Sequence, residues 1–254
     1  MVAADARALY VHGHSVVHRL APEAKVAATF LFVLCAALTP RTAIWAFGVY
    51  GTLLAVVVMV AGIPLRFLIA RLVVVLPFVL FAFLVPIIGE GERVQVLGIP
   101  LSLEGLWAMW GILAKAGVGA TSSILLAGTT EVPDLLKGLT RLRVPPVFVS
   151  ITSFMVRYME LMADSLGRMR TAMVARGYDP RWLWQAKPIA SSAGALFVRS
   201  YERGERIHAA MLSRGYTGVM PDLTGKPASV SDWLKAAPIP LLGLITVTIA
   251  LVTQ

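Results

Sequence analysis

Long apolar runs without charged residues alternate with short polar segments through the first half of this 254-residue chain. A helix that spans a bilayer needs about 20 predominantly apolar residues. Runs of roughly that length lie at residues 43–62, 72–88 and 106–128; a shorter run at 26–38 borrows flanking residues, and a last run lies at 239–252. The pattern predicts an all-α polytopic membrane protein with about five transmembrane helices.

A polar, charged segment at residues 129–233 separates the last two runs. It opens with Thr130 as a potential N-cap, Pro133 in a first turn and Asp134 near the positive end of a helix dipole, which together predict a short helix. The leucines that follow share one face, so we expect this helix to be amphipathic and to lie at the membrane surface.

Two long helices follow the short one, from about Val147 to Arg176 and from about residue 188 to Arg214. Gly167 and Gly204 lie inside them, where glycine is unfavourable unless another element packs closely. We therefore expect the two long helices to cross at these glycines. With the short helix they form a platform, which divides the chain into a membrane region at 1–129, the platform at 130–232 and a C-terminal transmembrane helix at 233–254.

Composition agrees with a membrane protein and restricts the alternatives. The hydrophobic fraction is 57%, the mean hydropathy +0.76 and the formal charge +9. A soluble nucleic-acid-binding protein would also be basic, but it would not carry several long apolar runs. The single cysteine, Cys35, lies in an apolar run, so no disulfide framework is expected. The polar N-terminal segment lacks the apolar stretch of a cleavable signal peptide.

Charge sets the predicted orientation, because positive loops stay in the cytoplasm. Arg66 and Arg71 follow the second run, and the platform is rich in Lys and Arg, whereas residues 89–103 are glycine-rich and acidic. The near-alternation of apolar residues within 89–103 predicts a loop with a small hairpin. We expect the N-terminus and the platform in the cytoplasm of a bacterial cell and the C-terminus outside.

One segment of the platform occurs twice. Ala-Met-Val-Ala-Arg-Gly-Tyr at 172–178 returns as Ala-Met-Leu-Ser-Arg-Gly-Tyr at 210–216. Glycine after arginine suits a helix C-terminus, where glycine takes the left-handed position and the dipole favours a cation. The repeat predicts two helices that each end in an outward arginine.

The fourth apolar run is rich in small residues, which allow another helix to approach closely in lipid. Lys115 lies within this run. It is either part of a contact or conduction site, or a lysine that is paired locally or extends to the interface. The candidates for partner contact are Gly111, Gly117, Ala120 and Lys115.

Residues for catalysis or metal binding are sparse. No Walker A loop occurs, so we do not expect the chain to hydrolyse ATP. His12, His14 and His18 lie in the lead-in with no neighbouring cysteine, which makes a poor metal site. The acids of the platform are scattered among arginines, and we expect neither an active site nor a bound metal or cofactor.

The doubled motif, the lead-in at 17–25 with its His18, Leu20, Pro22 and Lys25, and the order of four spans, platform and one span resemble the transmembrane T component of energy-coupling factor (ECF) transporters, most closely its cobalt-type (CbiQ) members. Ser213 stands where alanine is usual in the second motif, and Val17 where leucine is usual in the lead-in. The resemblance covers nearly the whole chain.

The resemblance implies a non-catalytic subunit that transmits the motion of two ABC-type ATPase subunits to a substrate-binding membrane S component. That component would be CbiM-like, with or without a CbiN-like subunit, and ATP and Mg would bind at the ATPase subunits. The implied substrate is cobalt or nickel. The residues implied in ATPase coupling are Ala175, Arg176, Gly177, Ser213, Arg214 and Gly215.

Three alternatives stay open: a T subunit of a vitamin-type importer, a membrane scaffold for a cytoplasmic complex without transport, and a membrane enzyme that acts on a lipid phosphate. Co-purification with two ATP-binding chains and a small membrane protein would favour a transporter. Metal-dependent turnover by the isolated chain would favour the enzyme.

Overall fold

The structure is a computed structural model, and it describes residues 10–11, 13, 15–89, 93–96, 99–178, 187–218 and 228–253. It is helical, as predicted, with the small hairpin expected near residue 100. The helices are α1 (Val16–Arg19), α2 (Pro22–Leu38), α3 (Ile44–Ala61), α4 (Leu65–Leu72), α5 (Leu76–Ile88), α6 (Leu103–Thr129), α7 (Val132–Arg141), α8 (Pro146–Ala175), α9 (Lys187–Leu212), α10 (Val230–Ala236) and α11 (Pro238–Val252). Strands β1 (Arg93–Val96) and β2 (Ile99–Ser102) pair antiparallel.

Within the described residues, three helical segments are long and apolar enough to cross a membrane: Ile44–Ala61, Leu65–Ile88 and Leu103–Thr129. Helices α10 and α11 make a fourth if the pair, bent by 43°, is one span. The prediction of five spans is therefore not met by length and composition. Helix α2 is the difference, because its 17 residues extend only about 25 Å and its first turn is charged.

The chain divides into two compact units. The membrane unit contains Leu9–Leu142 and Lys226–Gln254, and the coupling unit contains Arg143–Gly225. The division comes after α7, because α7 packs against α2. The sequence had placed the boundary before this helix, at residues 129–130. A Cβ on Gly138 of α7 would lie 3.0 Å from the backbone of Pro22 and Glu23, so the two helices approach as closely as backbones allow.

Tyr50 lies at the centre of the membrane unit with none of its surface exposed. Its hydroxyl bonds Thr39 Oγ1 (2.9 Å) and donates to the Gly243 carbonyl (3.3 Å). Its ring meets that of Phe32 edge to face at 5.5 Å. These contacts join α2, α3 and α11 through one satisfied side chain, which is the condition for burying a phenol in an apolar core.

Lys115 of α6 is paired locally. Its Nζ donates to the Ala37 carbonyl at the end of α2 over 2.7 Å. Gly111 lies against the Arg41 side chain, where a Cβ would come within 3.0 Å of Arg41 Cβ, whereas a Cβ on Gly117 would meet nothing within 4 Å. The small-residue face is thus partly used inside the membrane unit and partly open.

Candidate functional site

The first Arg-Gly motif closes α8 with a defined backbone turn. Gly177 has φ +77°, the left-handed conformation predicted for it. The Gly177 N–H donates to the Val174 carbonyl (2.9 Å), and the Tyr178 N–H donates to the Met173 carbonyl (3.1 Å). This is the hydrogen-bond pattern of a Schellman cap, which satisfies carbonyls that a helix end leaves without partners.

The second motif repeats this geometry at the end of α9. Gly215 has φ +82°, and its N–H donates to the Leu212 carbonyl (3.0 Å). The Tyr216 N–H donates to the Met211 carbonyl (3.0 Å). The two copies therefore match in backbone conformation as well as in sequence, and each presents its arginine at the cap position.

All six residues of the two motifs are exposed: Ala175, Arg176, Gly177, Ser213, Arg214 and Gly215. Neither arginine has an ion-pair partner among the described residues. A guanidinium that is permanently charged and presents a planar fork of donors suits a carboxylate on another molecule. Within the coupling unit, both arginines are available for such a contact.

Helices α8 and α9 touch each other through methionine and serine. The Ser200 hydroxyl lies 3.0 Å from Met162 Sδ, and the Ser192 hydroxyl lies 3.5 Å from Met173 Sδ. The predicted close crossing at Gly167 and Gly204 is not found, because a Cβ on either glycine would meet no atom within 4 Å. Both glycines lie on exposed faces, so the helix contact is made by flexible side chains.

Two grooves of opposite character lie between α8 and α9, and Met162 and Ser200 line both. One, of about 550 Å³, contains four arginines and no acid among its described lining residues: Arg168, Arg176, Arg199 and Arg203. The other, of about 600 Å³, is mainly apolar: Val147, Ile151, Phe154, Ile207 and Met211 are among its lining residues. The coupling unit thus offers a cationic and an apolar surface on one helix pair.

A buried polar cluster lies in the first turn of α2. Lys25 is 7% exposed, and its Nζ donates to the carbonyls of His18 (3.1 Å) and Thr129 (2.9 Å) and to Thr130 Oγ1 (3.2 Å). Burial lowers the pKa of Lys25 from 10.5 to about 8, although Asp134 opposes part of this change. All three ammonium hydrogens have acceptors, which makes burial of the charge tolerable.

This cluster corrects one part of the sequence interpretation. Thr130 does not cap α7, whose N-cap is Glu131; instead Thr130 accepts a hydrogen bond from Lys25. In the sequence, Lys25 had a place only in the resemblance, and Glu23 had no assigned role. The available signal was the pair of opposite charges, Glu23 and Lys25, at the start of an apolar helix, since buried charges there require partners from elsewhere.

The histidines of the lead-in show no metal cluster within the described part of the chain. The ring of His18 is held by Ser15 Oγ (2.8 Å) and by the Val11 carbonyl (3.0 Å). His12 and His14 lie outside the described residues. Ala120, the remaining candidate for partner contact, is half-buried on α6.

Comparison with known proteins bears on these features. The family model of CbiQ, described as cobalt transport protein, matches residues 13–224. The cobalt transport protein CbiQ of Rhodobacter capsulatus is 32% identical over 186 residues, which are 73% of this chain and 71% of that protein. The energy-coupling factor transporter transmembrane protein EcfT of Bacillus selenitireducens is 30% identical over 82% of both chains. A putative fused cobalt transport protein CbiMQ of Methanocorpusculum labreanum is 28% identical over 43% of this chain and 18% of that protein.

Proposed function

Since the chain belongs to the CbiQ family of cobalt transport proteins, we propose that it is the transmembrane coupling subunit of an ECF-type importer for cobalt or nickel. It passes the ATP-driven motion of two ATPase subunits to a separate membrane protein that binds the substrate. The observation that carries this proposal is the pair of exposed arginines held in matching helix caps.

Two matching ends suit two similar partners. Each cap fixes the backbone that carries its arginine, so the guanidinium is presented on a rigid helix rather than on a loose loop. A charged, planar donor that contacts a carboxylate in a partner groove withstands pulling and pushing as the partner moves. Closure of two ATPase subunits would therefore displace the ends of α8 and α9.

The contact between α8 and α9 supports such a displacement. Methionine side chains are flexible and adapt to changes in packing, and Met162 and Met173 make the contacts with Ser200 and Ser192. A pair of helices joined in this way is suited to a shear or hinge movement. The apolar groove beside the contact is suited to a helix of a membrane partner.

The substrate-binding partner that we propose is CbiM-like, with or without a CbiN-like subunit. The relative described as a putative fused cobalt transport protein CbiMQ supports this pairing, since its name joins the two components in one chain. ATP and Mg would bind to the ATPase subunits, and the chain by itself would be non-catalytic.

Reversal of charge at the two caps tests the proposal. In cells that express the chain with its partners, Arg176→Glu combined with Arg214→Glu should abolish ATPase association and substrate uptake, because like charges would face each other across the contact. The matched control is Arg168→Glu with Arg206→Glu, the same change eight positions upstream in each helix, which should leave association largely intact. Normal uptake by the variant at the caps would refute the proposal.

A T subunit that serves a substrate other than these metals is the second candidate. The EcfT relative aligns over more of this chain than the CbiQ relative does, 82% against 73%. Uptake of cobalt, nickel and a vitamin, each measured with the co-purifying membrane partner, separates the two candidates. Co-purification without any ATP-dependent uptake would instead favour a scaffold.

A further inference from the structure

Glu23 is a buried carboxylate with two partners that lie far away in the sequence. It is 5% exposed in the first turn of α2. Its Oε2 accepts a hydrogen bond from Arg141 Nη1 at 3.0 Å, and its Oε1 accepts one from the backbone N–H of Ala228. The partners are 118 and 205 residues away along the chain, so this contact depends on the fold and not on local sequence.

Both partners lie beside the points where the chain passes between the two units. Arg141 is the last residue of α7, and the coupling unit begins at Arg143. Ala228 lies two positions after Lys226, where the chain is again part of the membrane unit. A single carboxylate of the membrane unit therefore holds the chain where it leaves for the coupling unit and where it returns.

The elements around these two points are themselves firmly seated. On the outgoing side, Gly138 places α7 in backbone contact with Pro22 and Glu23. On the returning side, Ser229 and Asp232 form a capping box that starts α10 directly after Ala228. Displacement of either connection relative to α2 would break a charge-assisted hydrogen bond inside a region with little water, which is costly.

A purely structural role would not require this arrangement. A buried ion pair contributes little net stability relative to apolar residues of similar volume, whereas loss of one partner is strongly destabilising. The pair is better suited to fixing geometry, because two directional hydrogen bonds determine where the two connections lie. Apolar packing at the same place would allow them to slide.

We propose that Glu23 is a positioning residue of the transport cycle, which fixes both connections of the coupling unit to α2 so that motion of α8 and α9 is delivered to the membrane helices. This inference rests on the function proposed above. Without the carboxylate, the connections would absorb the motion, and ATP would be hydrolysed with little transport.

The test uses the whole complex, with its ATPase and substrate-binding subunits, reconstituted in liposomes. Substrate uptake and ATP hydrolysis are measured in the same vesicles and normalised to assembled complex. Glu23→Gln should lower uptake per ATP hydrolysed by about ten-fold, a common size for coupling between sites, while hydrolysis continues. The matched control is Lys137→Gln, which breaks a partly exposed ion pair with Asp134 on α7 and should leave the ratio unchanged.

Two further variants separate coupling from folding. Glu23→Met with Arg141→Met leaves no unpaired buried charge, so assembly should recover relative to Glu23→Gln while uptake per ATP stays low. Ala228→Pro removes the N–H donor of the returning connection without changing any charge and should lower the ratio while the complex still assembles.

Two results would overturn the inference. One is a normal uptake per ATP in the assembled variant Glu23→Met with Arg141→Met; the other is a normal uptake per ATP in both Glu23→Gln and Ala228→Pro. Absence of ATP-driven uptake in the unmodified complex would instead refute the proposed function, and the inference with it.

Discussion

Backbone chemistry at single residues explains why the two Arg-Gly motifs adopt one geometry. Glycine has no Cβ, so Gly177 and Gly215 take positive φ without steric cost and allow the following tyrosine N–H to reach back to the helix. The arginine is placed as a consequence. The local sequence is sufficient to predict the cap geometry, because every backbone hydrogen bond of the cap joins residues a few positions apart.

Alanine at these positions should therefore have effects opposite to alanine at the interior glycines. Gly177→Ala places a Cβ in the left-handed region and should cost roughly 1–2 kcal/mol in the free energy of unfolding. Gly167→Ala meets no neighbouring atom and should stabilise α8 by roughly 0.5–1 kcal/mol. Denaturant unfolding of the purified chain, followed by circular dichroism, measures both.

The Gly167 variant also tests whether a helix of a partner subunit packs on this glycine. If no partner helix packs on that glycine, uptake by Gly167→Ala should equal that of the unmodified chain. A specific loss of uptake without loss of stability would show that a partner approaches there.

Two lysines of the membrane unit, Lys25 and Lys115, offer a second comparison at this scale. Lys25→Met would leave three buried acceptors without a donor and should cost about 3 kcal/mol in the free energy of unfolding. Lys115→Met removes one hydrogen bond and should cost about 1 kcal/mol. Denaturant titration of the two variants in detergent measures the difference, and equal costs would contradict the role assigned to Lys25.

The lowered pKa of Lys25 adds a dependence on pH. The folded state binds this proton less tightly than the unfolded state, with a pKa of about 8 against 10.5. The contribution of the group to stability is therefore complete above the unfolded value and is lost as pH falls through 8. Between pH 8 and 10, the thermal stability of the unmodified chain should rise relative to Lys25→Met, and a constant difference would contradict this.

Pairs of helices differ in how they are held together. Helices α2 and α7 meet backbone to backbone at Gly138, which is a rigid contact. Helices α8 and α9 meet through Met162 and Ser200, a contact that can rearrange. The fold thus combines a fixed junction in the membrane unit with an adaptable helix pair in the coupling unit.

A covalent bond between α8 and α9 should block the proposed movement. In a Cys35→Ser background, Met162→Cys with Ser200→Cys should be bridged by a short bifunctional methanethiosulfonate reagent, because Met162 Sδ and Ser200 Oγ lie 3.0 Å apart. Uptake should fall on crosslinking and return on reduction of the crosslink, since the helices must change their relative position. Each single cysteine variant is the control, and full uptake by the crosslinked protein would show that no such movement is needed.

The arrangement of the whole chain in the membrane follows from charge and from the number of spans. The predicted cytoplasmic N-terminus and external C-terminus require an odd number of crossings. Within the described residues, length and composition support three helices, or four with the bent pair. With the platform in the cytoplasm, the short helix α2 therefore decides on which side of the membrane the N-terminus lies.

Labelling from one side of the membrane tests this arrangement. In the Cys35→Ser background, Ser213→Cys should react with an impermeant reagent only in inside-out vesicles, because the platform is predicted to be cytoplasmic. Thr42→Cys, between α2 and α3, should react only in right-side-out cells, and Ser15→Cys, before α2, should react only in inside-out vesicles if α2 crosses the membrane. Labelling of Ser15→Cys and Thr42→Cys from the same side would show that α2 does not cross.

Much of the fold could be derived from the sequence because the responsible forces are local or depend on composition. Apolar runs predict helices in lipid whatever their neighbours, and an Arg-Gly pair predicts a cap within one turn. The hairpin near residue 100 and the doubled caps follow from such rules. The length of α2 was harder to judge, since Glu23 and Lys25 were assigned to a polar lead-in although they belong to the helix.

Only the tertiary structure decided which distant groups meet. Glu23 contacts Arg141 and Ala228, and α7 belongs to the membrane unit. Helices α8 and α9 meet at methionine side chains and not at the glycines that the sequence suggested. Buried charges accept whatever partners the packed backbones bring within hydrogen-bond distance, and that choice is not encoded in any single segment. The sequence by itself determined the membrane helices and the two arginine ends; packing determined which distant groups Glu23 and Lys25 meet.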